Sequence, residues 1–160
     1  MKITNYHSHT YRCKHAQGDA LDYVRTAFQG GASVYGISDH SPIPDGRYAD
    51  VRMALDELDS YEAAVRRAQA DFPEIEVLLG MECEYFPEFH AFYEDELLGR
   101  RDYDYLIGAG HYTPIEGSWR NSFANMDHPK MLNAYSRHLI EIMETGLYAF
   151  IAHPDLFGCS

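Results

Sequence analysis

Residues 75–85, Ile-Glu-Val-Leu-Leu-Gly-Met-Glu-Cys-Glu-Tyr, join an apolar run to an acidic end. Val77 to Met81 is the most apolar strand candidate of the chain, and Glu82 follows it directly. A short apolar run of this kind is typical of a strand that is buried on both faces of a parallel sheet. The segment therefore predicts a strand that ends on a carboxylate.

Four other apolar runs of the chain also end on polar residues, and helical patterns separate them. Strands are predicted at 3–9, 34–38, 75–85, 103–109 and 148–152, and helices at 18–28, 51–70, 88–98 and 129–144. This alternation predicts an α/β fold of parallel βα units, arranged as a barrel or as an open doubly wound sheet. The 160 residues suffice for one such domain.

Residues that can bind metal lie at the C-terminal end of every predicted strand: His9, His40, Glu82, His111 and His153. In parallel βα architectures these strand ends open onto one face. We therefore expect one cluster, although each histidine taken alone could be an ordinary hydrogen-bonded residue.

The first strand adds a ligand pair, His7-Ser8-His9, because side chains two residues apart on a strand point to the same side. The loop that follows could fold His15 back over this pair. Nitrogen and carboxylate donors without thiolate suit Zn, Mn or Fe better than a structural zinc site.

Other polar residues have open roles. Glu84 could bind or bridge metal, or be solvated. Asp39 and Asp155 could orient neighbouring histidines or cap loops. We expect structural or surface roles for His90, His128 and His138, and reduced thiols at Cys13, Cys83 and Cys159.

Composition limits the partners. The formal charge is −12, from 13 Lys+Arg and 25 Asp+Glu, which disfavours extended nucleic acid as a partner. The sequence has no signal peptide and no apolar run long enough to span a membrane, so we expect a cytoplasmic protein. The sequence gives no indication of the oligomeric state.

These motifs are similar to those of the PHP (polymerase and histidinol phosphatase) family, in particular its histidinol-phosphatase-like branch, over essentially the whole chain. The matching positions are His7-Ser8-His9, His15, Asp39-His40, Gly80-Met81-Glu82, Gly110-His111 and His153-Pro154. The resemblance implies a distorted (β/α)7 TIM-like barrel and a trinuclear centre. It assigns His7, His9 and Glu82 to one metal, Glu82 with His111 and His153 to a second, and His15 with His40 to a third.

The resemblance is incomplete at its end. The family completes its centre with an Asp-x-His pair on a late strand, and no such pair occurs before Ser160. Five strands also cannot close a seven-stranded barrel. We therefore expect residues 1–160 to be about the N-terminal two-thirds of a longer PHP domain, although a second chain could supply the missing strands.

The resemblance favours hydrolysis of a small phosphomonoester such as histidinol phosphate. Up to three divalent ions would activate water, with Glu82, His111 and His153 as the catalytic group. Phosphate-binding candidates in the loops are Arg12, Lys14, Arg47 and Arg120. One alternative is a PHP phosphodiesterase or nuclease that stacks a base on Tyr11, Tyr112 or Trp119, and another is a non-catalytic metal-binding module. An amidohydrolase ranks lower. Enzymes of that superfamily typically bridge their metals with a carboxylated lysine on a middle strand, and Lys2, Lys14 and Lys130 all lie outside such strands.

Overall fold

The computed structural model describes residues 2–125 and 127–156. Its strands are β1 (Ile3–Asn5), β2 (Ala32–Ile37), β3 (Glu76–Glu84), β4 (Tyr105–Ala109), β5 (Tyr112–Ile115), β6 (Ser118–Asn121) and β7 (Phe150–Ile151). Five of them form a parallel sheet in the order β1-β2-β3-β4-β7, with β1 and β7 at its edges. The sheet curls into part of a barrel. The predicted α/β fold with an incomplete TIM-like barrel is thus confirmed.

Three α-helices pack against the sheet: α1 (Ala20–Gln29), α2 (Leu58–Asp71) and α3 (Met131–Glu144). A capping box begins α1, in which the Asp19 carboxylate accepts from the first turn and Asp22 accepts the Asp19 N–H at 3.0 Å. Helix α1 packs on β2 and α2, α2 on β3, and α3 on β4 and β5. Among the described residues, no helix is both long enough and apolar enough to cross a membrane.

The helix predicted over 51–70 is wrong at its start. Ala54 is extended, and its N–H donates to Glu57 Oε2 at 2.7 Å, which caps a 3-10 turn at Leu55–Glu57 before α2. Arg52 and Met53 lie outside the helix, and both are buried. Apolar periodicity placed the helix start too early. The cap at Ala54 and the burial of Arg52 and Met53 favour an irregular backbone there over one more helical turn.

The helix predicted over 88–98 has a different hydrogen-bond pattern. A 3-10 turn at Pro87–Phe89 leads into a π-helix at Phe92–Arg100, and the N–H of Arg101 donates to the Glu96 carbonyl at 2.9 Å. Such wide turns are rare, so an apolar pattern of ordinary helical spacing cannot distinguish them.

The long loop predicted after β4 contains an antiparallel hairpin of β5 and β6. Its turn is formed by Glu116 and Gly117, which both have positive φ, at 52° and 78°. Two such residues are what a tight two-residue hairpin turn requires. The prediction of a loop is wrong here because Glu-Gly is a weaker hairpin signal than Asn-Gly or Asp-Gly.

The ring of Tyr105 lies across the neighbouring strands, where two glycines leave room for it. A Cβ at Gly36 would lie 2.9 Å from Cζ of this ring, and a Cβ at Gly80 would lie 2.6 Å from Cε1. The Tyr105 hydroxyl donates to the Tyr6 carbonyl at 2.6 Å. This hydrogen bond therefore links the start of β4 to the segment that follows β1.

Candidate metal centre

The pair His7 and His9 follows β1 on a segment that Ser8 holds in place. The Ser8 N–H donates to Ser38 Oγ at 3.1 Å, and the Ser38 N–H donates to the Ser8 carbonyl at 2.9 Å. The regular strand ends at Asn5, earlier than predicted, yet the alternation of side chains continues. The two imidazoles therefore lie together, with 3.0 Å between their Nε2 atoms.

Main-chain pairing brings His40 beside Glu82. The N–H of Glu82 donates to the Asp39 carbonyl at 2.9 Å, and the N–H of Ser41 donates to the Glu82 carbonyl at 2.8 Å. His40 Nδ1 lies 3.0 Å from Glu82 Oε2. Its position thus follows from the register of two adjacent strand ends.

The fully buried Glu82 carboxylate lies at the centre of the histidines. Its Oε2 is 3.2 Å from Nε2 of both His7 and His9. Its Oε1 is 3.0 Å from His153 Nε2 and 3.6 Å from His111 Nε2. Side chains from separate strand ends thus converge on one carboxylate.

His15 lies on the outer side of this group. Its ring centroid is 5.4 Å from that of His9 and 5.2 Å from that of His40. A 3-10 turn at Tyr11–Cys13 and the left-handed Lys14 bring the loop back toward the first pair. The structure therefore brings together all seven predicted ligands, while their roles remain predictions.

The donor set fits divalent metal ions. Four groups of ligand atoms lie within 4.8 Å of one another among the described residues: His7, His9, Glu82; His40, Glu82, His111; His9, His15, His40; and His9, Cys13, Asp39. Tetrahedral Zn with nitrogen ligands needs ligand atoms about 3.3 Å apart, and the Nε2 atoms of His111 and His153 are separated by 3.3 Å. Within the described chain, the buried Oε2 of Glu82 lies close to imidazole nitrogens of His7, His9 and His40, but none of these contacts has hydrogen-bond geometry, so its lone pairs are open to a cation.

Protonation equilibria in the cluster depend on the carboxylates. Burial lowers the pKa of His9, but Asp39 and Glu82 outweigh it and raise this pKa to about 9. At His40, burial prevails over the Glu82 contact and lowers the pKa to about 4. Burial alone would raise the pKa of Glu82, but His153 and the other adjacent histidines hold it well below its ordinary value. The metal-free centre therefore holds an anionic Glu82 and a proton on His9 at neutral pH.

The sequence left two alternatives for Glu84, a metal ligand or a solvated side chain. It is fully buried, so the solvated alternative is wrong. Its Oε2 accepts from Arg52 Nη2 at 2.7 Å and faces His111 Nδ1 at 2.9 Å, while Oε1 accepts the Tyr112 N–H at 2.9 Å. Burial would raise the Glu84 pKa, but His111 and Arg52 hold it below its ordinary value. Arg52 was missed because it lies in the predicted helix, where arginines are usually solvated.

The two predicted phosphate-binding cations that follow β1, Arg12 and Lys14, are held by other residues. Arg12 is buried, and its Nη1 donates to Asp19 Oδ1 at 2.7 Å, so it links the loop to the start of α1. Lys14 donates to the Ala49 carbonyl. Both contacts favour structural roles.

Of the other two cations, Arg47 lies in the loop after β2 and Arg120 lies on β6. Arg47 pairs with Asp45 at 2.6 Å and with Glu88 at 3.0 Å. Arg120 lies on β6, opposite Thr113 of β5. In residues 2–125 and 127–156, none of the four cations hydrogen-bonds to the histidine cluster, so phosphate binding by them remains a prediction.

The remaining polar candidates lie around the cluster. Asp39 is buried, accepts the N–H of Thr10 at 2.9 Å, and has Oδ1 3.5 Å from His9 Nδ1. Asp155 is exposed. His138 is buried in α3 beside Trp119, whereas His90 and His128 are partly exposed. Cys13 and Cys83 are free thiols, and Cys159 lies outside the described residues.

Sequence comparison gives consistent matches. A model described as PHP domain matches residues 5–158. A probable histidinol-phosphatase of Deinococcus radiodurans is 33% identical over 159 residues, which cover 96% of this chain and 61% of that protein. A probable histidinol-phosphatase of Schizosaccharomyces pombe is 26% identical, with 94% and 55% covered. The chain thus spans about 60% of the length of the curated relatives that it matches.

Solved structures share the fold. A putative histidinol phosphatase from Listeria monocytogenes superposes with a TM-score of 0.75 at 16% identity, over 97% of this chain and 68% of that chain. A histidinol phosphate phosphatase from Lactococcus lactis, in complex with zinc, L-histidinol and phosphate, gives a TM-score of 0.70 at 17% identity, with 96% and 58% covered. At these identities the likeness extends to the fold alone.

Proposed function

This chain belongs to the PHP domain family, and from this membership we propose that it forms most of a metal-dependent phosphoesterase acting on a small phosphomonoester similar to histidinol phosphate. The observation that carries the proposal is the convergence of five imidazoles on Glu82, at 3.0 to 3.6 Å. We also propose that residues 1–160 are the larger part of a single domain, as their coverage of the two curated relatives suggests.

The cluster would hold up to three divalent ions. The proposed sets are His7, His9 and Glu82; Glu82, His111 and His153; and His15 with His40. Bound ions of this kind lower the pKa of water and neutralise charge on phosphoryl oxygens. Zinc is the first ion to test because the Lactococcus lactis protein contains it, and manganese and iron also suit these donors.

The side chains around Glu82 suggest how a substrate would approach. Among the five histidine neighbours of Glu82, His153 is the most exposed within the given chain, with 35% of its side chain accessible. Phe123 is half exposed, and its ring lies nearly parallel to His111 at 5.6 Å. We propose that Phe123 offers an apolar wall to the organic part of the substrate.

Charge and aromatic packing favour a small metabolite over a nucleic acid. The formal charge of −12 opposes a long polyanion. Tyr112 stacks on Tyr48 at 3.6 Å, and Trp119 contacts Phe86 at 4.6 Å, so both rings are already engaged. Tyr11, the third candidate, is exposed, with the Arg12 guanidinium 4.6 Å from its ring centroid. With two of the three rings engaged, a base-stacking phosphodiesterase is the weaker proposal. A cytoplasmic location remains a prediction.

The decisive experiment measures metal content and hydrolysis together. Zinc-loaded full-length protein would be assayed with histidinol phosphate, an aryl phosphate and a bis-aryl phosphodiester. We expect turnover of the monoesters, and we expect His9→Ala to abolish it. His90→Ala is the matched control, because His90 lies away from Glu82 and pairs with Glu94.

Each other result points to a different function. Preference for the diester would support a phosphodiesterase. Bound metal without turnover of any ester by an intact full-length protein would support a non-catalytic metal-binding module.

A further inference from the structure

A buried row of three side chains runs from Arg52 through Glu84 to His111. Arg52 Nη2 donates to Glu84 Oε2 at 2.7 Å, and His111 Nδ1 lies 2.9 Å from the same oxygen. The other oxygen of Glu84 accepts the N–H of Tyr112 at 2.9 Å. Both oxygens are thus occupied inside the protein, so Glu84 is not placed to bind metal.

This geometry determines which nitrogen of His111 is free. A carboxylate oxygen accepts hydrogen bonds, so the facing Nδ1 carries the proton and the lone pair of the neutral ring lies on Nε2. Nε2 is the atom that faces Glu82 Oε1 at 3.6 Å and His153 Nε2 at 3.3 Å. Glu84 therefore fixes both the tautomer and the orientation of the ring.

The position of Arg52 carries a cost. It is 2% exposed, and its Nε and Nη1 find no hydrogen-bond partner in the part of the chain that the structure describes. Buried donors without partners are destabilising, and a buried ion pair is often no better for stability than apolar residues of similar size. Stability alone therefore gives a weak reason for this pair.

We propose that Glu84 and Arg52 are positioning residues of the metal centre: Glu84 directs Nε2 of His111 into the cluster, and Arg52 holds Glu84 in place. Carboxylates that bond the outer nitrogen of a ligating histidine orient it in this way. The inference rests on the proposed function only in requiring that the cluster bind metal, and it requires no turnover.

The test compares two variants with wild type in two measurements. NMR of the metal-free, 15N-histidine-labelled protein reports the His111 tautomer, and competition with a chelator reports Zn²⁺ affinity. We expect Glu84→Gln to leave Nδ1 of His111 only partly protonated and to weaken Zn²⁺ binding by about 10- to 100-fold. Glu62→Gln is the matched control, because Glu62 pairs with Arg101 at 2.7 Å away from the cluster.

A double variant guards against loss of folding. Arg52→Met combined with Glu84→Leu removes both charges, so no charge is left buried alone. We expect it to fold and to show the same two changes. Wild-type behaviour of these variants in either measurement would overturn the inference, as would a wild-type chain that binds no Zn²⁺. A wild-type chain that binds Zn²⁺ without hydrolysing phosphomonoesters would contradict the proposed function alone.

Discussion

Tyr105 on β4 donates a hydrogen bond of 2.6 Å to the carbonyl of Tyr6, across both β2 and β3. Tyr6 directly precedes His7, so this bond connects β4 to the segment that carries the ligand pair. The path is open only because the intervening strands carry Gly36 and Gly80 where the ring passes. The packing of the sheet and the geometry of the cluster therefore depend on each other.

Gly80→Ala tests this dependence. The added methyl group would lie 2.6 Å from Cε1 of the Tyr105 ring, and overpacking of this kind costs about 1–3 kcal/mol. We expect a lower free energy of unfolding by denaturant and weaker Zn²⁺ binding. Gly30→Ala is the control, because a Cβ there would meet nothing closer than 3.4 Å. Equal stability of the two variants would contradict the prediction.

The pKa values of His9 and His40 predict how the stability of the metal-free protein depends on pH. The pKa of His9 is raised from 6.5 to about 9, so its stabilisation is full below pH 6.5 and is lost as pH rises through 9. The pKa of His40 is lowered to about 4, so its contribution is present above pH 6.5 and is lost as pH falls through 4. Thermal unfolding in EDTA between pH 4 and 10 would measure both.

His9→Gln separates these two effects. It should flatten the decline of stability between pH 6.5 and 9 and leave the acid limb unchanged, because His40 is retained. The idea fails if the variant keeps the wild-type decline in that alkaline range.

Glu82→Gln should reduce metal binding more than any single histidine replacement. It removes the one carboxylate that two of the proposed metals share. Replacement of residues that only orient the ligands already lowers metal affinity by about 10- to 100-fold. Elemental analysis after dialysis would show the loss. Glu96→Gln is a suitable control, because Glu96 pairs with Arg100 and Arg101 on the protein surface. Full metal content in Glu82→Gln would refute the proposed bridge.

Arg12→Met and Lys14→Ala distinguish structural cations from those that bind substrate. Arg12 is buried against Asp19, so its replacement should lower the free energy of unfolding by about 1–3 kcal/mol. Replacement of the exposed Lys14 by alanine should lower the free energy of unfolding by less than about 0.5 kcal/mol. If Arg12 binds phosphate instead, Arg12→Met would raise KM while stability stays at the wild-type value.

The sequence predicted β2, β3 and β4 well because each contains an apolar run that ends near a polar residue. Position at strand ends also identified the histidines that converge on Glu82. Residues joined by packing could not be found in this way. Arg52 lies in an irregular segment, and its contact with Glu84 spans 32 positions, so no local pattern marks it.

Apolar periodicity also could not predict the hydrogen-bond pattern within two elements. The π-helix at Phe92–Arg100 has the same apolar spacing as an ordinary helix over so short a stretch. The hairpin of β5 and β6 depends on positive φ at Glu116, which glutamate adopts rarely and the sequence does not announce.

The two-residue strand β7 pairs with Ile107 and Gly108 of β4, and His153 follows it after Ala152. So short a strand can open locally while the longer strands of the sheet stay folded. Any ligand bound by both His153 and Glu82 would hold β7 against the rest of the sheet. Its affinity would then include the free energy of docking the strand, and its removal would release the chain after α3 before any other part of the sheet.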